Sequence, residues 1–129
     1  MTAMQAAGFW VGLHALLLIY LSYRVGKARS THKIDLGDGG VEDVQRAIRT
    51  HGNYTEYAPL ALIGLFGLAM LGAPASFIHG LGGIFFFGRI AHMLGLGMGA
   101  WKQGRMVGTL LTMLTLLVTS VSLLIYAIS

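Results

Sequence analysis

Four long stretches of this sequence carry no charged side chain, and they constrain the fold more than any other feature. They cover residues 1–23, 57–88, 90–101 and 106–129. A helix needs about 20 apolar residues to cross the hydrocarbon core of a bilayer. Only 11% of the 129 residues are charged and 55% are hydrophobic, whereas an ordinary soluble domain carries roughly 25% charged residues. We therefore expect one all-α integral membrane domain over residues 1–129.

Four transmembrane helices in one bundle account for these stretches. Pro74, two residues after Gly72, separates the second span from the third, because a Gly and a Pro this close together favour a turn over a continuous helix. The second apolar run is short, and we expect its helix to begin earlier, near Val41, after a Gly- and Asp-rich turn at 35–40. The first span lacks the basic n-region of a cleaved signal peptide. The predicted spans are 3–23, 57–71, 75–98 and 106–128.

The basic residues outside the spans are confined to two stretches. The predicted basic loop 24–56 holds six of them and residues 99–106 hold two, whereas both termini and the 72–76 turn hold none. Lys and Arg favour the cytoplasmic side of a membrane, so we expect both stretches inside and both termini outside. The net charge of +4 thus reflects the orientation of the helices in the membrane in the first place and an anion-binding site in the second. It does not favour a nucleic-acid partner. The basic residues are Arg24, Lys27, Arg29, Lys33, Arg46, Arg49, Lys102 and Arg105.

Cysteine is absent from the sequence, so disulfides, thiolate metal sites and a catalytic cysteine are excluded. His14 and His79 are single histidines on apolar helices, and we interpret them as hydrogen-bonded packing residues. A bis-histidine haem would need two histidines at matching depth on facing helices, but His79 and His92 are predicted near opposite sides of the membrane. We therefore expect neither metal nor haem.

The second helix gathers polar side chains on one face where it enters the bilayer. At about 100° per residue, Arg46, Arg49, Asn53 and Glu56 fall within a sector of roughly 80°, with Tyr57 at its border. Ionisable groups at membrane depth are costly and are candidates for function by default. The face is therefore either a binding surface or a salt-bridge ladder at the interface.

Two further arginines need an explanation. Arg89 lies inside the third span, where an arginine costs about 2.5 to 3.5 kcal/mol on insertion scales. It must face protein or water, close to His92 three residues later, and Glu56 is its expected partner in a pair that could be purely structural. Arg105 stands just before the fourth span, either as a topological anchor or as a group that reaches an anion between helices.

Residues 49–60, RTHGNYTEYAPL, resemble the signature of the MAPEG family, the membrane-associated proteins in eicosanoid and glutathione metabolism. The shared pattern is Arg, three residues, Asn, two residues, Glu-Tyr, one residue and Pro-Leu at the start of the second span. Segments 36–40 and 45–49 resemble the bacterial branch of the family. Segment 88–92, GRIAH, resembles the third-helix motif, and Arg105 stands where the family has an arginine. The similarity covers nearly the whole chain.

The resemblance implies a homotrimer that holds glutathione, its co-substrate, between subunits near one membrane face. Family members conjugate glutathione to lipophilic electrophiles, reduce lipid hydroperoxides, or convert eicosanoids. We therefore expect a transferase or peroxidase in a bacterial inner membrane, with membrane lipid and a lipophilic substrate as its other partners. Arg105 would stabilise the thiolate, whereas Leu96 stands where eukaryotic members often have Tyr. The candidate glutathione-binding residues are Arg24, Arg46, Arg49, Asn53, Glu56, Tyr57, Arg89 and His92.

Two other functions remain open at this stage. The chain could be a non-catalytic membrane scaffold or anion-binding protein in which an Arg/Glu network fixes subunit packing. It could also be a small transporter subunit, but a transporter needs a polar path through the bilayer. The outer halves of all four predicted spans are too apolar to provide one.

Overall fold

The computed structural model describes residues 1–129 and is entirely helical. It contains α1 (Ala3–His32), α2 (Glu42–Met70), α3 (Ala75–His92) and α4 (Gly104–Ile128). A π-helical segment, Met93–Gly97, continues α3. The prediction of an all-α bundle of four helices is therefore confirmed.

The basic stretch 24–56 is mostly helix rather than loop. The first helix continues to His32, and the second begins at Glu42, one residue beyond the predicted Val41. The first helix ends where Lys33 adopts a left-handed φ of 55° and its N–H donates to the carbonyls of Arg29 and Ser30. The basic side chains of this stretch therefore project from helices with defined directions.

Helices α1 and α2 pack antiparallel along their whole length. Near the chain N-terminus, Ala6 and Trp10 share a buried cluster with Leu65 and Leu68. Further along, Leu17 and Leu21 meet Tyr54, Ala58 and Ala61, and Ala28 meets Val44 and Ala47 at the basic end. The apolar half of α2 therefore lies alongside the apolar part of α1.

Three helices are long and apolar enough to cross a membrane: α1, α3 with its π-helical continuation, and α4. Helix α2 is not among them, because its first half carries the polar face described above. A short turn joins α2 to α3, with Gly72 at a φ of 92° and Pro74 directly before the first residue of α3. The predicted break at Pro74 is confirmed.

Both single histidines on the apolar helices are hydrogen-bonded packing residues, as predicted. The indole N–H of Trp10 donates to Nδ1 of His79 at 3.2 Å. Nδ1 of His14 lies 2.9 Å from the hydroxyl of Tyr54, and that hydroxyl also donates to the carbonyl of His14.

Glycines bring α3, the π-helical segment and α4 into backbone contact. A Cβ on Gly95 would collide with the backbone N of Arg105, and a Cβ on Gly108 would collide with the carbonyl of Gly88. By contrast, nothing lies within 4 Å of a Cβ placed on Gly8 or Gly12. The glycines of the π-helical segment and of α4 therefore permit a close helix approach, whereas Gly8 and Gly12 contact no other part of the chain at Cβ distance.

Candidate functional site

A polar cleft of about 590 Å³ opens at the end of the bundle where α2 begins. Ligand sites in proteins commonly measure about 300 to 1,000 Å³. Only one of its nine lining residues is hydrophobic, in a chain that is 55% hydrophobic. The lining residues come from α2, the π-helical segment, the connection that follows and α4: Glu42, Gln45, Arg46, Arg49, Gly95, Leu96, Gly99, Lys102 and Arg105.

Arg46 is already engaged on the wall of this cleft. Its Nε and Nη2 lie 2.9 and 2.8 Å from Oε1 of Glu42, one helical turn earlier. Its Nη1 donates to the carbonyl of Leu96 at 3.2 Å. Arg46 thereby links the first turn of α2 to the π-helical segment, and the single carboxylate of the cleft is used in holding it.

The other three cations of the cleft keep most of their donors available. Nη1 of Arg49 lies 3.7 Å from Oε1 of Glu56, too far for a hydrogen bond, and the two side chains are 62% and 53% exposed. An exposed ion pair of this kind contributes only about 0 to 1 kcal/mol. Lys102 and Arg105 are exposed and form no ion pair. The cleft therefore presents uncompensated positive charge.

Arg89 lies deeper, in a buried polar cluster between α2, α3 and α4. It is only 3% exposed; its Nη2 donates to Oδ1 of Asn53 at 2.8 Å and its Nη1 to Oγ1 of Thr112 at 3.4 Å. Its guanidinium carbon also lies 5.7 Å from the centre of the Tyr54 ring. The chain itself thus supplies partners for the two Nη atoms of this costly charge, whereas Nε is buried without a hydrogen-bond partner.

The expected Glu56–Arg89 ion pair does not form, so that prediction is wrong. Glu56 is more than half exposed and approaches Arg49 instead. A carboxylate loses less hydration free energy at this exposed position than it would beside the buried Arg89. The neutral oxygens of Asn53 and Thr112, which are cheaper to bury, bind the arginine.

The candidate site residues fall into separate groups in the structure. Arg46, Arg49 and Arg105 line the cleft. His92 is buried, with no partner for its Nδ1, and lies close to Gly108. Arg24 donates from Nη2 to the carbonyl of Gly97 at 3.0 Å. Outside the cleft lining are Arg24, Asn53, Glu56, Tyr57, Arg89 and His92.

Sequence reasoning missed two polar residues of the cleft. Lys102 was interpreted only as a topological charge, although it precedes Arg105 by three residues. Gln45 precedes Arg46 on the first turns of α2 and belongs to the family-like segment 45–49, but it is not among the predicted site residues. No group of three His, Asp or Glu side chains lies close enough to hold a metal ion. Cationic donors dominate the cleft, and they suit an anionic ligand.

Comparison with known proteins identifies the family. The sequence model of the MAPEG family matches residues 7–125, a range that includes every residue lining the cleft. The chain belongs to the MAPEG family. It is 33% identical over 107 residues to the inner membrane protein YecN of Escherichia coli strain K12, covering 81% of this chain and 82% of YecN. YecN of Escherichia coli O6:H1 matches to the same extent.

Membership of the MAPEG family confirms the resemblance found in the sequence motifs. It makes this chain an integral, multi-pass membrane protein, in agreement with its long apolar helices. The family includes glutathione transferases and peroxidases. The name of YecN places that protein in an inner membrane.

Proposed function

We propose that this protein is a glutathione-dependent transferase or peroxidase of the inner membrane, acting on lipophilic electrophiles or lipid hydroperoxides. One observation carries the proposal: Arg49, Lys102 and Arg105 are exposed in one cleft of ligand size at the polar end of an apolar bundle, and Lys102 and Arg105 have no carboxylate partner. Family membership supports the choice of glutathione among small anions.

Glutathione has two carboxylates and one ammonium group, and the cleft together with the neighbouring Glu56 offers complementary groups. Arginine forks bind carboxylates through paired N–H donors, and Arg49 and Arg105 are the arginines with free donors. Glu56, which lies beside Arg49 and is 53% exposed, can accept the ammonium. In this proposal Tyr57, half-buried next to Glu56, borders the bound peptide.

The buried cluster around Arg89 holds the part of α2 that follows the cleft in place. Arg89 orients Asn53 through the 2.8 Å hydrogen bond, and Asn53 lies one turn of α2 beyond Arg49. His92 packs beside the same helices. We propose that a neighbouring subunit of a homotrimer completes the site around these residues, as the family resemblance implies.

The chemistry requires a thiolate, because only the thiolate is a good nucleophile. A free thiol has a pKa of about 8.5, and lowering that pKa by two units takes about 2.7 kcal/mol of preferential thiolate stabilisation. The guanidinium of Arg105 supplies this stabilisation in the proposal, and water accepts the proton. The thiolate sulfur then attacks an electrophile that the bilayer concentrates beside the cleft.

A scaffold function is the second candidate, and specific contacts favour it. Arg24, Arg46 and Arg89 each bind an acceptor within their own chain. A scaffold needs no turnover, so a chromogenic electrophile distinguishes the candidates. Glutathione-dependent turnover by the detergent-solubilised protein supports the enzyme, and binding without turnover supports the scaffold.

The site is tested by calorimetry of reduced glutathione with wild type and Arg49→Ala. Hydrogen bonds to charged groups contribute about 1.5 to 3 kcal/mol, so we expect roughly 10- to 100-fold weaker binding. Lys27→Ala is the matched control, because Lys27 is exposed in the same basic stretch but lies outside the cleft. Equal affinity of all three proteins would remove the cleft as the glutathione site.

A further inference from the structure

Two arginines from different helices bind consecutive carbonyls at the end of the π-helical segment. Arg24 of α1 donates to the carbonyl of Gly97 at 3.0 Å, and Arg46 of α2 donates to the carbonyl of Leu96 at 3.2 Å. The last carbonyls of a helix have no partner within the helix. The pair of arginines therefore acts as a cap that neither α3 nor α4 supplies.

The side chain of Arg24 packs against the π-helical segment inside the bundle and does not line the cleft. It is half-buried and lies outside the cleft lining. A Cβ placed on Gly97 would lie 3.0 Å from Nη1 of Arg24 and 3.0 Å from Oγ1 of Thr50. The guanidinium thus covers the backbone of Gly97 closely, and a side chain at this position would have to displace Arg24 or Thr50 by a few tenths of an ångström.

The π-helical segment also contacts the start of α4, where Arg105 lies. A Cβ on Gly95 would collide with the backbone N of Arg105 and with the backbone of Gly104. The connection from Met98 to Gln103 is not helical. It is tied back chiefly by the N–H groups of Ala100 and Trp101, which donate to the carbonyl of Leu94 at 2.9 and 3.3 Å. A shift of the segment therefore displaces the first turn of α4 and its arginine.

We propose that Arg24 is a positioning residue: with Arg46 it clamps the end of the π-helical segment, and the segment sets the place of Arg105 in the cleft. π-helical turns inside helices occur frequently at functional sites. The role assigned to Arg105 rests on the proposed function, whereas the clamp itself does not. A direct contact between Arg24 and glutathione, as the family resemblance implies, is the competing role.

Hydrogen–deuterium exchange of the ligand-free protein tests the clamp without reference to glutathione. Loss of a hydrogen bond from a charged donor predicts about tenfold or more faster exchange in Arg24→Ala for the amides of Met98, Ala100 and Trp101, which are hydrogen-bonded to the π-helical segment. Arg24→Lys, which keeps a donor, should recover part of the protection. Lys27→Ala, on the same helix, should exchange like wild type. Unchanged exchange in Arg24→Ala would overturn the clamp.

The pH dependence of the thiolate absorbance of bound glutathione then tests the link to Arg105. In complexes saturated with glutathione, thiolate absorbance should appear at higher pH in Arg24→Ala than in wild type. Arg24→Lys should bring the pH midpoint part of the way back to that of wild type.

The possible outcomes separate the clamp, the positioning role and the proposed function. Faster exchange with an unchanged thiolate midpoint would overturn the positioning role. Weaker glutathione binding with unchanged exchange would establish direct contact instead. Failure of wild type to bind glutathione would refute the proposed function, while the exchange experiment would still decide the clamp.

Discussion

Arg49 and Arg89 carry the same guanidinium group, but they differ in solvent exposure and in hydrogen-bond partners. Arg89 is 3% exposed and donates to Asn53 and Thr112. Arg49 is 62% exposed, and its nearest carboxylate oxygen, on Glu56, lies 3.7 Å away. A buried cation must be satisfied by its own chain, whereas an arginine in an open cleft keeps its donors for an anion. The first therefore stabilises the bundle, and the second can bind a ligand.

The comparison extends to the groups around each arginine. Arg89 joins α3 to α2 and α4, beside the position where Gly88 and Gly108 bring two helix backbones together. Arg49 lies among Lys102, Arg105 and the non-helical connection before α4. The region around Arg89 is close-packed and its hydrogen-bond acceptors are uncharged. The region around Arg49 is open and positively charged. Substitutions in the two regions should therefore alter different measurements.

The largest effect is expected for Arg89→Ala, on stability. The change removes two hydrogen bonds from a charged donor and the volume of a large buried side chain, so we expect a loss of about 3 kcal/mol in the free energy of unfolding. Thermal unfolding in detergent measures it. Arg49→Ala is the matched control and should cost below about 1 kcal/mol. If Arg89→Ala is as stable as wild type, glycine packing alone holds α3 and α4 together.

A smaller effect is expected for Asn53→Ala. The variant leaves one N–H of the buried Arg89 without its acceptor, at a cost of about 1 to 2 kcal/mol in unfolding free energy. Asn53→Asp keeps the acceptor oxygen and should retain the stability. Because Asn53 acts through Arg89, its loss should weaken glutathione binding less than Arg49→Ala does. Binding weakened as much as in Arg49→Ala, with no change in stability, would mean that Asn53 faces the ligand.

The smallest effect is expected from salt. The Debye length falls from about 10 Å at 0.1 M to about 3 Å at 1 M ionic strength, and buried charges are screened much less than exposed ones. Glutathione should therefore bind about three- to tenfold more weakly in calorimetry at the higher salt concentration. The unfolding temperature of the ligand-free protein, which depends on the Arg89 cluster, should change little. An affinity independent of salt would contradict an open cationic cleft.

The fold was largely predictable from local sequence signals. Charge-free runs place the apolar helices, Pro74 marks the break between α2 and α3, and the glycines near Val41 mark the start of α2. Each signal acts through its immediate neighbours in the chain, by backbone preference or by the cost of burying charge. The orientation of the helices in the membrane and the homotrimer remain predictions.

The partners of the arginines could not be predicted in the same way. Asn53 and Glu56 share one face of α2, so periodicity alone cannot decide which of them meets Arg89; burial decides it. The glycines near Gly95 carry no sequence signal that identifies the backbone they touch. Gly95 of the π-helical segment lies against the backbone N of Arg105, and this contact joins two segments that no single sequence window contains.

Thermal unfolding of the solubilised wild-type protein tests the central claim most directly, with reduced glutathione compared against 2-mercaptoethanol, a thiol without carboxylates. At 100 times its dissociation constant, glutathione should add about 2.7 kcal/mol to the free energy of unfolding and raise the unfolding temperature accordingly. The same concentration of 2-mercaptoethanol should leave the unfolding temperature unchanged. An equal shift with both thiols, or no shift with glutathione, would contradict a cleft whose arginines bind the carboxylates of a peptide thiol.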